Sequence, residues 1–304
     1  MRNPSPAARV WVFAAIALGF VAAVALPRQH APAAAAKPEP KFHVGRIADP
    51  AIPESSGIIA SRKHAGVYWT HNDSGNPAEL FAIRRDGTLL RTFKVDAKNH
   101  DWEDVAYDED GRILIADTGN NDHRRKHVFV HAVLEPDPAS KPAPGEAPLK
   151  VEQTWTLTYP AQPFDAESLF VKGKTGYVIS KLLTMEKAGL YAFDLDPAKP
   201  KQELRFVATL PIRFPATAAD LSPDGRWLAV MTIAGPYLFR VDGDPLKAAT
   251  APSKHVLFTD KNIEAITFVP EGTLATTEGR EVLLFRWADY GVPEADTRPA
   301  TQPQ

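Results

Sequence analysis

Short apolar runs separated by polar and glycine-containing turns return along this chain in a fixed order of four. The first run of each set follows an acidic or small residue: Glu54-Ser55-Ser56-Gly57-Ile58, Glu103-Asp104-Val105, Glu167-Ser168-Leu169-Phe170, Ala219-Asp220-Leu221 and Glu264-Ala265-Ile266-Thr267-Phe268. A β-branched second run follows, as in Val67 to His71, Ile113 to Asp117, Tyr177 to Lys181, Trp227 to Met231 and Leu274 to Glu278. The third runs are aromatic-rich: Leu80 to Ile83, Val128 to His131, Leu190 to Phe193, Tyr237 to Arg240 and Leu283 to Arg286. Fourth runs with alternating polar and apolar positions lie at Leu89 to Val95, Gln153 to Tyr159, Leu204 to Leu210 and His255 to Phe258. Runs of this length and composition read as strands. Asp86-Gly87, Asp110-Gly111, Asp224-Gly225 and Glu271-Gly272 punctuate them with turn chemistry.

The sets begin about 45 to 65 residues apart, near the roughly 40–50 that a four-stranded blade needs. The longest interval contains Pro136, Pro138, Pro142, Pro144 and Pro148, which cannot supply ladder donors and mark an exposed inserted loop. A fourth run is missing from the last set. Phe42 to Ile47, ahead of the first set, is the natural replacement, because a ring closed by both ends of the chain has no open sheet edge. The expected fold is therefore all-β: a five-bladed β-propeller closed by an N-terminal outer strand, with six blades as the alternative if the insertion hides a degenerate unit. A sandwich or open barrel would not return the same four-strand order with an acidic residue at one place.

Arg2 and Arg9 precede an uncharged apolar run from Val10 to Leu26, the pattern of a secretory signal peptide or a single membrane anchor. Residues 27–40 read as a flexible linker, 41–287 as the propeller and 288–304 as a disordered tail. The chain is expected to be periplasmic or secreted, with residues 10–26 as an anchor in the inner membrane if they are retained. Among 304 residues there is no cysteine, so neither disulfides nor thiolate metal sites arise. A net charge of −2 gives no electrostatic case for nucleic acid. The expected partner is a small-molecule or envelope ligand of unassigned identity, met by a monomer.

First strands of a propeller line its axis, so Glu54, Glu103, Glu167 and Glu264 are expected to converge there as a ring. Carboxylates gathered out of bulk water either shift their protonation or hold a cation. All-oxygen donors without histidine or cysteine favour a hard ion, and calcium tolerates irregular geometry better than magnesium. Asn72 and Asp117, at second-strand ends, are candidate auxiliary ligands. His71 and His100 are candidates for proton transfer. No serine elbow, phosphate-cradling loop or His-Glu-x-x-His motif is present, so any catalysis would be metal-assisted. The basic run His123 to His127 lies beside the expected mouth, where arginine suits a phosphate or carboxylate, although such runs are ordinarily solvated loops.

Trp69 to Gly75, Asp101-Trp102-Glu103-Asp104, Ala116 to Asn121 and Phe164 to Leu169 together resemble a group of exported bacterial β-propeller proteins of largely unknown function. More distantly the chain is similar to the calcium-dependent phytase-like, paraoxonase and regucalcin propellers. That resemblance implies calcium held at the channel by carboxylates and amides, and hydrolysis of phosphoesters, esters or lactones. Five sets depart from the usual six blades of those hydrolases, and the match does not include a full catalytic set. A non-catalytic ligand-binding or scaffold module of the cell envelope is the alternative.

Overall fold

A computed structural model describes residues 41–182, 187–258 and 262–297. Each four-run set folds into one antiparallel blade because its apolar positions face the neighbouring blades. Blade one comprises β2 (Ser55–Ala60), β3 (Tyr68–Asn72), β4 (Glu79–Ile83) and β5 (Leu89–Lys94). Blade two comprises β6 (Trp102–Tyr107), β7 (Arg112–Asp117), β8 (Val128–Leu134) and β9 (Val151–Thr158). Blade three comprises β10 (Leu169–Lys172), β11 (Thr175–Ile179), β12 (Gly189–Asp194) and β14 (Arg205–Thr209). Between its last two strands the chain gives up β13 (Lys201–Glu203), which pairs in parallel with β9 and extends blade two to five strands. Blade four comprises β15 (Ala216–Leu221), β16 (Trp227–Thr232), β17 (Tyr237–Arg240) and β18 (Ser253–His255).

Blade five comprises β19 (Ile263–Val269), β20 (Gly272–Thr277) and β21 (Glu281–Arg286), and its outer strand is β1 (His43–Arg46). His43 pairs with Leu283 and Arg46 with Glu281, so the N-terminal strand closes the last blade as the pattern predicts. The inner strands pack in a closed ring, β2 on β6, β6 on β10, β10 on β15, β15 on β19 and β19 on β2. The protein is a five-bladed all-β propeller, and no sixth unit lies in the inserted loop.

The core lies between blades. Trp69, Phe93, Trp102 and Ile115 fill the space between blades one and two; Trp155, Leu169 and Phe193 fill the next. The Trp69 indole donates to Glu135 Oε1 at 2.8 Å, so the first residue of the inserted loop is buried while most of the loop is exposed. The tail assigned to disorder from 288 is packed in its first part. Tyr290 and Val292 are buried against Phe268 and Phe285, because the apolar rim of blade five needs a cover, and a short helix α1 (Glu294–Thr297) follows. The signal or anchor segment 1–26, the linker 27–40 and residues 298–304 lie outside the described residues. Among the described residues no helix is long and apolar enough to cross a membrane.

Candidate metal centre at the channel mouth

Every first strand but β10 breaks its pairing at the same place, and that break decides which residues face the axis. Ser55 pairs with Asn72, Trp102 with Asp117, Ala216 with Thr232 and Ile263 with Thr277; pairing resumes only at Ile58, Asp104, Ala218 and Ala265. An extra residue at such a bulge is released from the ladder and its side chain is re-aimed. Counted from these pairs, the equivalent positions are Ser56, Glu103, Thr217 and Glu264, with Glu167 in blade three two residues before Leu169, as Glu103 is before Val105. The ring therefore carries three glutamates and two hydroxyls. Ser56 donates to Glu103 O at 3.2 Å and Thr217 to Ile263 O at 2.8 Å, so both hydroxyls tie one blade to the next.

This register corrects the four-glutamate ring. Glu54 stands two residues earlier, in an outer tier with Asp101 and Asp165; it is exposed and accepts from Asn76 Nδ2 at 3.0 Å. In blade four, where no glutamate heads the first strand, Thr217 takes the ring position. The outer tier had a sequence signal in Asp101-Trp102-Glu103 and Asp165-Ala166-Glu167, where the same acidic pair recurs at a spacing of two. Residues at that spacing share one face of an extended chain.

Among the described residues two carboxylate triads result, and they share Glu103. One carboxylate oxygen from each of Glu103, Asp165 and Glu167 lies within 4.8 Å of the others, and so do oxygens of Asp73, Asp101 and Glu103. Glu103, Asp165 and Glu167 are each only 4% exposed. Glu167 Oε1 receives the Lys181 ammonium, while its buried Oε2 has no hydrogen-bond partner. Asp165 Oδ1 accepts the Asn120 N–H at 2.7 Å. Gly119 closes over the group: a Cβ there would lie 2.0 Å from Glu103 Oε1 and 2.4 Å from the Asp101 carboxyl, so no other residue fits without moving them.

Protonation follows this crowding. Burial, then the charges of Glu167, Asp73 and Asp101, push Glu103 well above the ordinary carboxylate range. Burial raises Glu167 to about 8, with Lys181 opposing. Burial and the Glu167 charge raise Glu264 to about 9, again against Lys181. Asp101 is raised to about 6 by burial and the charge of Asp73. Burial also lifts Asp73 and Asp165. Burial works against the Lys181 ammonium, yet Glu167 and Glu264 hold its pKa above the usual lysine value.

The other expected site residues lie elsewhere. Asn72 donates to Ala51 O at 2.8 Å and receives the Glu54 N–H at 3.4 Å, so its amide fastens the entry to β2. Asp117 is fully buried between Arg125 at 2.6 Å and His100 at 2.8 Å, with the His131 ring 3.9 Å away. Burial pushes the Asp117 carboxyl up, but the two histidines and Arg125 hold it below its ordinary value. Both residues are thus engaged within the protein rather than gathered with the acidic group. His71 has no exposed surface; its Nδ1 lies 3.0 Å from Asn72 O, its ring meets Trp102 edge-on, and burial lowers its pKa to about 4. That enclosure does not suit proton transfer to a substrate. The His100 side chain is half exposed, with its Nδ1 facing the buried Asp117 carboxylate and its ring against Phe129. Arg125 of the basic run pins its own loop through Gly119 O at 2.6 Å and Asp117.

One level below the mouth, Asp104 lies across the axis. Its Oδ2 accepts the Leu169 N–H at 2.8 Å and the Ala219 N–H at 3.2 Å, and its Oδ1 accepts the Val105 N–H at 2.9 Å. The equivalent residues of the other blades are Gly57, Ser168, Ala218 and Ala265, all small, which leaves this level of the ring to one carboxylate. The packing is close, since a Cβ on Gly57 would meet the Asp104 Cα at 2.9 Å.

No family model matches this chain, and no curated protein is similar to it. Among solved structures, the hydrazine synthase of Kuenenia stuttgartiensis is similar with a TM-score of 0.42 and 14% identity, over 74% of this chain and 56% of that one. A structure of the Dos1 propeller is similar with a TM-score of 0.39 and 13% identity, over 73% and 52% of the respective chains. The chain spans about half the length of the solved chains it matches.

Proposed function

We propose that this protein is an exported propeller that binds a divalent cation, calcium by ligand type, at Glu103, Asp165 and Glu167. The observation that carries this reading is the buried Oε2 of Glu167, left without a partner in a group of three carboxylates whose oxygens lie within 4.8 Å. An unpaired anionic oxygen in low dielectric is costly, and a cation held among carboxylates offsets that cost. The donors are all oxygen, irregularly arranged and drawn from two blades, which suits calcium better than the strict octahedron of magnesium. Export is supported by the uncharged run from Val10 to Leu26 behind Arg2 and Arg9.

A hydrolytic role for the ion is supported by His100. A half-exposed imidazole whose Nδ1 faces a buried carboxylate is oriented as general bases are, with Asp117 fixing the ring and its tautomer. The resemblance read from the sequence motifs alone makes phosphoesters, esters and lactones the substrate classes to assay. The test is calorimetric titration of the chelated protein with calcium and with magnesium, followed by assay of those three substrate classes. Calcium binding with turnover that is lost in His100→Gln, while binding persists, supports the hydrolase. Calcium binding with no turnover of any class leaves an envelope ligand-binding module. Absence of binding by either ion overturns the cation reading.

A further inference from the structure

Lys181 is the ammonium in direct contact with the acidic mouth, and its position is built rather than incidental. The residue follows Ser180 at the end of the second strand of blade three, and its backbone N–H donates to Asp165 O at 2.8 Å. Its backbone is therefore fixed on one carboxylate residue of the group while its ammonium sits on another, Glu167 Oε1. The side chain is 15% exposed, so water reaches part of it, whereas the Glu167 side chain beneath is 6% exposed. The charges of Glu167, Glu264 and Asp165 all act on this one lysine, and Asp73 feels its charge in turn.

We infer that Lys181 is a tethered cation that occupies the Glu167 end of the mouth and swings out when a divalent ion enters, making the site selective for charge. This rests on the cation reading of the same mouth. An entering ion needs the Glu167 carboxylate, which the ammonium already holds, so the two compete. A lysine stem of four rotatable carbons moves without the backbone. Replacing the ammonium with a sodium ion gains no charge and requires the sodium to shed water. A calcium ion adds one net positive charge among these carboxylates, and close opposite charges in a partly desolvated site interact strongly. The lysine thus raises the threshold against monovalent ions and leaves divalent ions able to displace it.

The test is calorimetric titration of the full chain with calcium chloride, at low and at high sodium chloride, for wild type, Lys181→Met and Lys181→Gln. The expected result is calcium binding at least tenfold tighter in both neutral variants, with sodium competing in the variants and not in wild type. Wild type that binds calcium, with variants of equal or weaker affinity and no new sodium competition, overturns the lysine inference and leaves the cation reading standing. Wild type that binds neither calcium nor magnesium removes the cation reading itself. Lys181→Gln keeps a polar group at the mouth, so the comparison survives if the methionine variant does not fold.

Discussion

The Asp104 carboxylate reaches from blade two to the backbone N–H of Ala219 in blade four, 3.2 Å across the channel axis. Through Leu169 the same oxygen also holds blade three, so one buried side chain fastens three of the five blades. Asp104→Ala leaves these amide donors without their acceptor in a space too narrow for ready hydration. The expected loss is about 2–4 kcal/mol, since each buried N–H left without an acceptor costs about 1–3 kcal/mol. Urea denaturation checks it; a loss below about 1 kcal/mol would show that water or relaxation replaces the carboxylate.

Burial lifts Asp104 well above the ordinary carboxylate range against its backbone hydrogen bonds, and the mouth shares that dependence on pH. Glu167 at about 8, Glu264 at about 9 and Asp101 at about 6 all lie above the ordinary carboxylate values of an unfolded chain. The folded protein keeps protons that the unfolded chain releases, so unfolding is favoured as pH rises. As far as these groups decide, chelated protein is expected to be most stable below about pH 4, where both states hold the protons, and to lose stability progressively as pH climbs from there to about 9. Urea midpoints at three pH values read this directly. Midpoints that rise from pH 5 to 8 would contradict it. Added calcium should flatten the decline, since the ion replaces the protons.

Glu103 belongs to both triads, and its neutralisation separates a site from a scaffold. Glu103→Gln removes repulsion from Glu167, Asp73 and Asp101, so the chelated variant should melt higher than wild type at pH 8. The same variant should lose the calcium-dependent rise in melting temperature. A variant that melts lower than wild type with the ion absent would mean that Glu103 holds the fold together by contacts rather than straining it by charge.

Gly119 offers a test that leaves every carboxylate in place. A methyl group there meets the mobile ends of Glu103 and Asp101 at 2.0 and 2.4 Å, so the side chains move rather than the strands. Gly119→Ala should weaken calcium binding at least tenfold while circular dichroism and the urea midpoint stay close to wild type. Unchanged affinity would place the ion away from this edge of the mouth.

The strand order, the count of blades and the closing role of residues 43–46 were all legible in the sequence, because they follow from periodicity and from turn residues. The register of the mouth was not. A bulge adds one residue inside a strand without any change in the apolar pattern around it, so Glu54 aligned with Glu103 by sequence although Ser56 takes that position in space. The recurring acidic pairs at 101 and 103 and at 165 and 167 carried the information that the alignment of single glutamates lost. Asn72 and Asp117 misled for a related reason: a polar residue at a strand end reads the same whether it faces a ligand or a neighbouring loop, and only Ala51 O and Arg125 distinguish the cases. The parallel attachment of β13 to a neighbouring blade has no local signature, since three residues with charged ends carry too little pattern.

The pairing of β1 with β21 also sets a schedule. Of the blade strands, the one that seals the ring emerges first and must wait for its partner, which emerges more than two hundred residues later, so on a ribosome the propeller stays an open arc until β21 is made. During that interval the leading strand is unpaired, and it can add to the β21 edge of another copy as readily as it later adds to its own. The concentration of nascent neighbours therefore governs whether this chain matures as a closed single ring or as pairs that have exchanged their first strands.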